Sequence, residues 1–338
     1  MTRGYPKVDM QVSGELLTQI SIGAVALYAL VTAASRAIDR LLALAEYYDI
    51  DEVLMGMTVL AVGTGLPELS SHLIASLGIL SGTLDYQVTS AVVIGGNTGS
   101  STVQQFLLVG VLLIGYGSIQ LTRTFIRESY VPMLGAFAVT ILVAWDGSIS
   151  RLDGVVLFVL YLGYVGIRVS RREQLPTLRE RPSLNPRWDI LVATGLLILV
   201  LLSASIMLSV VELIVNTLAL GGSTIGVMTI GVAAALPELT AVIDSIRRRA
   251  PNLALGTLIG SNIVNPLVGI GLGGAVSTYY VPPAVILWDL PFKLIVGAGL
   301  LIWTLYWRDG ELTRREGAYL LGLYVVFVTG RLLLFSGQ

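Results

Sequence analysis

The chain has 338 residues, a formal net charge of −1 and no cysteine, with 54% hydrophobic and 13% charged residues. The charged share is about half the ~25% typical of soluble domains, and mean hydropathy is +0.81, so a pair of soluble domains is excluded. Disulfides, thiolate metal sites and thiol nucleophiles are excluded as well, and no basic excess exists to hold nucleic acid.

Apolar runs of about 20 residues, each enough to cross a bilayer, recur from end to end and predict an all-α polytopic membrane protein. The N-terminal stretch MTRGYPKVDMQVSGE lacks the pattern of a cleavable signal. Hydropathy and helix breakers predict spans at about 17–45, 53–78, 88–116, 129–145 and 152–169. After a polar, Arg- and Pro-rich connection at 170–187, five more follow at about 188–216, 224–247, 253–276, 284–307 and 316–335. The expected organisation is a first five-helix repeat over 1–169, an inside basic loop over 170–187, and a second repeat over 188–338. With the N-terminus outside, sixteen of the 21 Lys and Arg residues fall in inside loops and four outside. This bias places both termini outside a cell membrane that the chain crosses many times. The basic clusters, including Arg247, Arg248 and Arg249, are therefore topology signals. Lipid and inorganic cations are the expected partners, and no obligate protein partner is evident.

Three pairs of segments match between the halves. Residues 56–68 read GMTVLAVGTGLPE and 226–238 read GVMTIGVAAALPE; GGNTGSSTVQ (95–104) aligns without gaps to GTLIGSNIVN (256–265). Further on, DGSISRLDG (146–154) matches DGELTRREG (309–317). Each unit holds an odd number of crossings, so the second copy enters the membrane from the opposite side. Inverted repeats are an architecture of secondary transporters, with the binding site near the midplane.

The repeated segments carry the polar residues. Glu68 and Glu238 lie mid-span, where insertion scales put the cost of a charge at about 2.5–3.5 kcal/mol and where ionisable groups mark ion pathways. Two such carboxylates converging from inverted halves would repel, so they require cations or protons between them. Pro67 and Pro237 precede them, and proline neither donates an N–H nor tolerates the carbonyl four residues back. Carbonyl oxygens near 61–63 and 231–233 are thereby released, which is tolerable at that depth where they line a cavity. Thr64 and Glu68, Ser100 and Gln104, and Ser261 and Asn265 are spaced i, i+4 and share helix faces. Carboxylate, hydroxyl, amide and backbone oxygens together suit a hard cation, calcium above all, with magnesium demanding a tighter shell. Gly95 with Gly99 and Gly256 with Gly260 recur in register and predict close helix packing.

At GTGLPE with GSSTVQ, and AALPE with GSNIVN, the sequence resembles the cation/calcium exchanger superfamily, which includes the sodium/calcium exchangers. That family's two alpha repeats read roughly G-T-S-x-P-E and G-S-N-x-x-N/D. The resemblance implies alternating access, with helices one and six sliding past a bundle of the other eight. It also implies that Glu68 and Glu238 are acidic calcium ligands, with Thr64, Ser100 and Ser261 as the matching hydroxyls and Asn265 where the family has Asn or Asp. The chain departs from the pattern at Gly65, Ala234, Ala235 and Gln104, losing three hydroxyls that help to hold sodium in the family.

The expectation is a secondary active antiporter, not an enzyme, exchanging calcium or a similar divalent cation (magnesium, manganese) for sodium. Its metal ligands are Glu68, Glu238, Thr64, Ser100, Gln104, Ser261 and Asn265, with no catalytic residue and no cofactor. Two alternatives stand beside it: a proton-coupled divalent cation exchanger, and a cation-binding homologue that does not transport. His72, four residues after Glu68, reads either as a proton-coupling partner or as a packed or snorkelling side chain. Asp289 and Lys293 read as a structural i, i+4 ion pair. Trp188, Trp303, Tyr306 and Trp307 read as interfacial residues.

Overall fold

A bilayer core offers no water to backbone N–H and C=O groups, so an apolar chain closes these bonds within helices. A computed structural model describes residues 10–48, 65–170, 185–218, 221–247 and 251–335. The first half contains α1 (Met10–Tyr47), α2 (Leu66–Ser81), α3 (Tyr86–Tyr116), α4 (Arg123–Val143) and α5 (Arg151–Ser170). The second contains α6 (Pro186–Leu218), α7 (Gly222–Ala234) and α8 (Leu236–Arg247). Then come α9 (Pro251–Val264, continuing through Asn265–Ile270 to Gly271–Ser277), α10 (Val285–Trp307) and α11 (Arg314–Phe335). Four short strands complete the described elements: β1 (Ser118–Gln120), β2 (Ser148–Ile149), β3 (Tyr279–Tyr280) and β4 (Glu311–Thr313).

Among the described residues, seven helices are long and apolar enough to cross a membrane: α1, α3, α4, α6, α9, α10 and α11. The expected span at 53–78 lies partly outside the described residues, where only α2 is seen. The one at 224–247 is broken at Ala235 into α7 and α8, and the one at 152–169 is the 20-residue α5. The centre of the bundle is α3 and α9, each 78% buried over its most apolar stretch. Exposed Leu and Val side chains on α1, α6 and α11, such as Val25, Leu202 and Leu333, face outward as lipid demands.

The repeated sequence segments adopt matching local structures. In both DG motifs the glycine is left-handed, Gly147 at φ +86° and Gly310 at φ +88°, a conformation that side-chain-bearing residues rarely adopt. A strand follows, and then a helix start closed by an acidic side chain. Ser150 N donates to Asp153 Oδ2 at 2.9 Å, and Thr313 N donates to Glu316 Oε2 at 2.8 Å, the reciprocal half of a capping box. The strands pair across the halves. β1 is antiparallel to β4, with Ile119 opposite Leu312, and β2 to β3, with Ile149 opposite Tyr279. The helices cross over too: a Cβ on Gly154 of α5 would lie 2.2 Å from Ala275 N on α9, and one on Gly317 of α11 would lie 2.9 Å from Leu113 Cβ on α3. Thus α5 packs on α9 of the other half, and α11 on α3. π-helical turns also fall at matching places, Val103–Leu108 with Asn265–Ile270 and Ile126–Tyr130 with Val285–Asp289.

Two contacts position the site. α1 packs along α6, joined by an ion pair from Arg40 Nη1 to Asp189 Oδ1 at 2.7 Å. α7 lies directly on α3: a Cβ on Gly99 would sit 2.6 Å from Val227 Cα, one on Gly226 2.3 Å from Val92 O, and one on Gly231 2.6 Å from Ser100 N. Gly95 and Gly99 therefore do permit close packing as expected, whereas no atom of the described residues lies within 4 Å of an added Cβ on Gly260. Overpacking of this kind costs about 1–3 kcal/mol. Gly231→Val is expected to lower the unfolding temperature in detergent and to slow ion exchange by lifting α7 off Ser100. A variant matching wild type in both measurements would show that this close approach is dispensable.

Candidate cation site

Proline places both glutamates. Gly65 leaves helical geometry (φ −86°, ψ 7°) and α2 begins immediately after it, with Pro67 in its first turn. Ala235 (φ −83°, ψ 0°) separates α7 from α8, whose first turn holds Pro237. Proline is well suited to a first turn, where its missing N–H is not needed, so each break falls two residues before the proline. Glu68 and Glu238 consequently occupy the first turns of α2 and α8, where the helix dipole favours negative charge. Both are deeply buried, at 5% and 1% exposure. Pro237 has no N–H for the Ala233 carbonyl, but the expected release of oxygens over 231–233 is not general, since Ala235 N donates to the Gly231 carbonyl at 3.3 Å and also faces that of Ala233. Residues 61–63 and Thr64 lie outside the described residues.

The structure brings the two carboxylates together. Ser100 Oγ donates to Glu68 Oε1 at 2.7 Å, Gln104 Nε2 donates to Ser100 Oγ at 3.2 Å, and the same nitrogen donates to Glu238 Oε1 at 3.2 Å. Three hydrogen bonds thus run without a gap from one acid to the other. Ser261 Oγ donates to Glu238 Oε1 at 3.4 Å. The Asn265 side chain faces Glu68, while its Nδ2 makes no hydrogen bond of normal geometry. The glutamates are joined through one Ser100 hydroxyl and one Gln104 nitrogen, and the second oxygen of each, Oε2, has no hydrogen-bond partner among the described residues. Buried carboxylate oxygens without donors are costly, and a cation removes that cost. Ala234 and Ala235, buried beside Glu238, add no oxygen from their side chains.

A narrow cavity of about 10 Å³ lies against Glu68, lined also by Pro67, His72, Asn97 and by Leu27 and Leu30 of α1. It is room for about one water-sized particle, and α1 forms one of its walls.

Behind this cavity a second polar layer supports the site. Asn97 Nδ2 donates to the Asn265 carbonyl at 2.8 Å and sits 3.2 Å from His72 Nε2. His72 Nδ1 lies 3.2 Å from Tyr279 Oη, and Tyr279 donates to the His72 carbonyl at 3.0 Å. Because the Asn265 carbonyl orients the Asn97 amide, the nitrogen facing His72 Nε2 is a donor, and the imidazole is held neutral with its proton on Nδ1. His72 is a packed side chain, fully inside rather than snorkelling. Asn97 and Asn262 were not singled out from sequence, although both are mid-span amides in the repeated motifs. Tyr279 arrives from β3, a loop strand with no sequence signal for the site.

Asp289 and Lys293 lie close enough to favour each other's charge, as expected, but Asp289 has a closer partner that was not expected. Asp289 Oδ1 meets Arg331 Nε of α11 at 3.2 Å, with both side chains 0% exposed. Lys293 places its ammonium 4.5 Å from the Phe137 ring centroid. Asp289 is the last residue of a π-helical turn. Arg331, counted from sequence among outside charges, is therefore internal.

A buried pair of acids in a bundle of apolar helices defines a membrane protein that handles inorganic cations. The chain matches the family described as "Sodium/calcium exchanger protein" over residues 19–170 and 188–333, and it belongs to that family. It is accordingly a cation-exchange antiporter rather than an enzyme. "Putative antiporter CaxA" of Alkalimonas amylolytica is 28% identical over 92% of this chain and 97% of its own length. "Inner membrane protein YrbG" of Escherichia coli K12 is 26% identical over 90% of this chain and 94% of its own. Among solved structures, the sodium-calcium exchanger NCX_Mj soaked with Na+ and Sr2+ shares the fold at a TM-score of 0.61. It is 20% identical and covers 93% of this chain and 99% of its own.

Proposed function

We propose that the protein exchanges calcium, or a similar divalent cation, for a monovalent counter-ion by alternating access across the cell membrane, with both termini outside. The observation carrying this reading is the hydrogen-bonded path from Glu68 through Ser100 and Gln104 to Glu238, with one carboxylate oxygen on each acid left without a donor. Glu68 and Glu238 bind the cation, assisted by Thr64, Ser100, Ser261, Asn265 and carbonyls near 61–63 and 231–233. Gln104, expected among the ligands, lies between the acids and meets them through its nitrogen rather than its oxygen. The chain crosses the membrane ten times as two inverted units, 1–169 and 188–338, joined by the inside loop 170–187. The reciprocal pairing of β1 with β4 and β2 with β3, and the matched crossings at Gly154 and Gly317, support that symmetry. The α1–α6 pair, walling the cavity through Leu27 and Leu30, is suited to slide and expose the acids to either side.

Competition for shared carboxylates supplies the coupling. One ion set leaves before the other neutralises the acids, and an unneutralised dianion is too costly to carry across. Sodium is the first counter-ion to test. Protons are the second reading, favoured by Gly65, Ala234 and Ala235 standing where hydroxyls would hold sodium, with the two glutamates as proton carriers. Isotopic calcium uptake into proteoliposomes under separately imposed sodium and proton gradients distinguishes them. Uptake driven by at least one gradient is expected; none under either would overturn exchange.

A further inference from the structure

Gln104 is fully buried between the two glutamates, and its amide points in a determined direction. Its nitrogen donates to Ser100 Oγ and to Glu238 Oε1, both at 3.2 Å, while its oxygen accepts from Asn262 Nδ2 at 3.0 Å. Asn262 Nδ2 also donates to the Leu258 carbonyl at 2.8 Å. Turning the Asn262 amide over would set oxygen against oxygen at Leu258. Turning Gln104 over would set its oxygen against the Glu238 carboxylate and nitrogen against nitrogen at Asn262. A primary amide carries two donors on nitrogen and its acceptor on oxygen, so the Leu258 carbonyl orients both side chains in succession.

The consequence is chemical. Hard cations are held through oxygen, and an amide nitrogen with both hydrogens engaged cannot serve as a ligand. Gln104 instead fills the space between the acids with a neutral donor, which weakly does the electrostatic work of a cation there. Among the described residues, the glutamate oxygens still without donors are Glu68 Oε2 and Glu238 Oε2, so these are the atoms left to meet a cation that answers both acids. One divalent ion in one seat cancels two carboxylate charges, whereas sodium would need a second seat.

We infer that Gln104, oriented by Asn262, is a specificity-determining residue. It occupies the position between Glu68 and Glu238 and limits the site to one cation at a time, favouring a divalent ion over sodium. The inference rests on the exchange reading above and adds the reason for its ion preference.

The test is isotopic calcium binding to the purified full chain, with sodium titrated as competitor, for wild type, Gln104→Ala and Asn262→Ala. Wild type is expected to lose calcium only at high sodium, with a Hill coefficient near ~1. Gln104→Ala vacates the second seat. The sodium concentration for half displacement should fall at least about tenfold, the scale of one hydrogen bond to a charged group, and the Hill coefficient should approach ~2. Asn262→Ala, which leaves the Gln104 amide able to turn its oxygen inward, should move both readouts the same way. A folded Gln104→Ala protein that binds calcium with the wild-type sodium curve would overturn the inference, as would a change in calcium affinity with no change in sodium slope. Should Gln104→Ala not fold, an unchanged sodium curve in Asn262→Ala overturns it equally. Wild-type protein that binds no calcium would bring down the exchange reading itself, a result separable from the others.

Discussion

Glu238→Gln is expected to reduce calcium exchange in proteoliposomes by at least ~100-fold, to the level of vesicles without protein. Even outer-shell substitutions around a metal cost about 10–100-fold in affinity, and this one removes half the charge that faces the ion. The side chain keeps its size, and a glutamine oxygen at the same place still accepts from Gln104 and Ser261, now at 3.2 and 3.4 Å from Glu238 Oε1. Folding should therefore survive, which separates loss of exchange from loss of protein. Glu68→Gln should behave alike, since Ser100 donates to Glu68 Oε1 in the same fashion. The double variant should be scarcely worse than either single one, because the two acids act on one ion and their effects do not add. Wild-type flux from either single variant would remove the site assignment while leaving the fold untouched.

The second large effect concerns stability. Asp289 and Arg331 are both 0% exposed and meet at 3.2 Å between α10 and α11. Arg331 also donates from Nη1 to the Phe335 carbonyl at 2.9 Å and from Nη2 to Ser223 Oγ at 2.5 Å, at the start of α7. Breaking a buried ion pair from one side leaves a desolvated charge and costs about 3–5 kcal/mol in protein interiors. Arg331→Met should accordingly lower the unfolding temperature more than the packing variant at Gly231. Asp289→Leu combined with Arg331→Met should recover much of the loss, since neither charge is then left alone. Thermal unfolding in detergent checks both; a double variant no more stable than Arg331→Met would indicate that the pairing is not what Arg331 contributes. Glu68 and Glu238 lie elsewhere, so under the proposed function the double variant should still bind calcium.

Much of the site was readable because lipid makes polarity conspicuous. A carboxylate in an apolar run is costly enough to demand a purpose, so Glu68 and Glu238 stood out without any structure. Their recurrence in matching LPE segments, each after a helix-breaking proline, also foretold that the two would meet. The break positions were less legible. Proline's clash with the carbonyl four residues back pointed to Gly63, which lies outside the described residues, and to Ala233, while the second turn falls at Ala235, because proline is comfortable in a helix's first turn.

Composition and periodicity by themselves determined that the chain is a bundle of membrane helices, repeated once, with two acids and a set of small polar residues in its interior. Those properties are local: hydropathy, breakers and spacing are written in consecutive residues. Tertiary structure alone decided which atoms point at the ion and which charges pair. The Gln104 amide faces the acids with nitrogen because a carbonyl at Leu258 orients Asn262, and Asp289 meets Arg331 of α11 at 3.2 Å, a partner 42 residues away in sequence. α5 packs on α9, and α11 on α3, at crossings where glycines of both helices meet. Such choices depend on how helices are rotated against distant neighbours, and a helix of fixed period packs with equal chemistry at several rotations until those neighbours are in place.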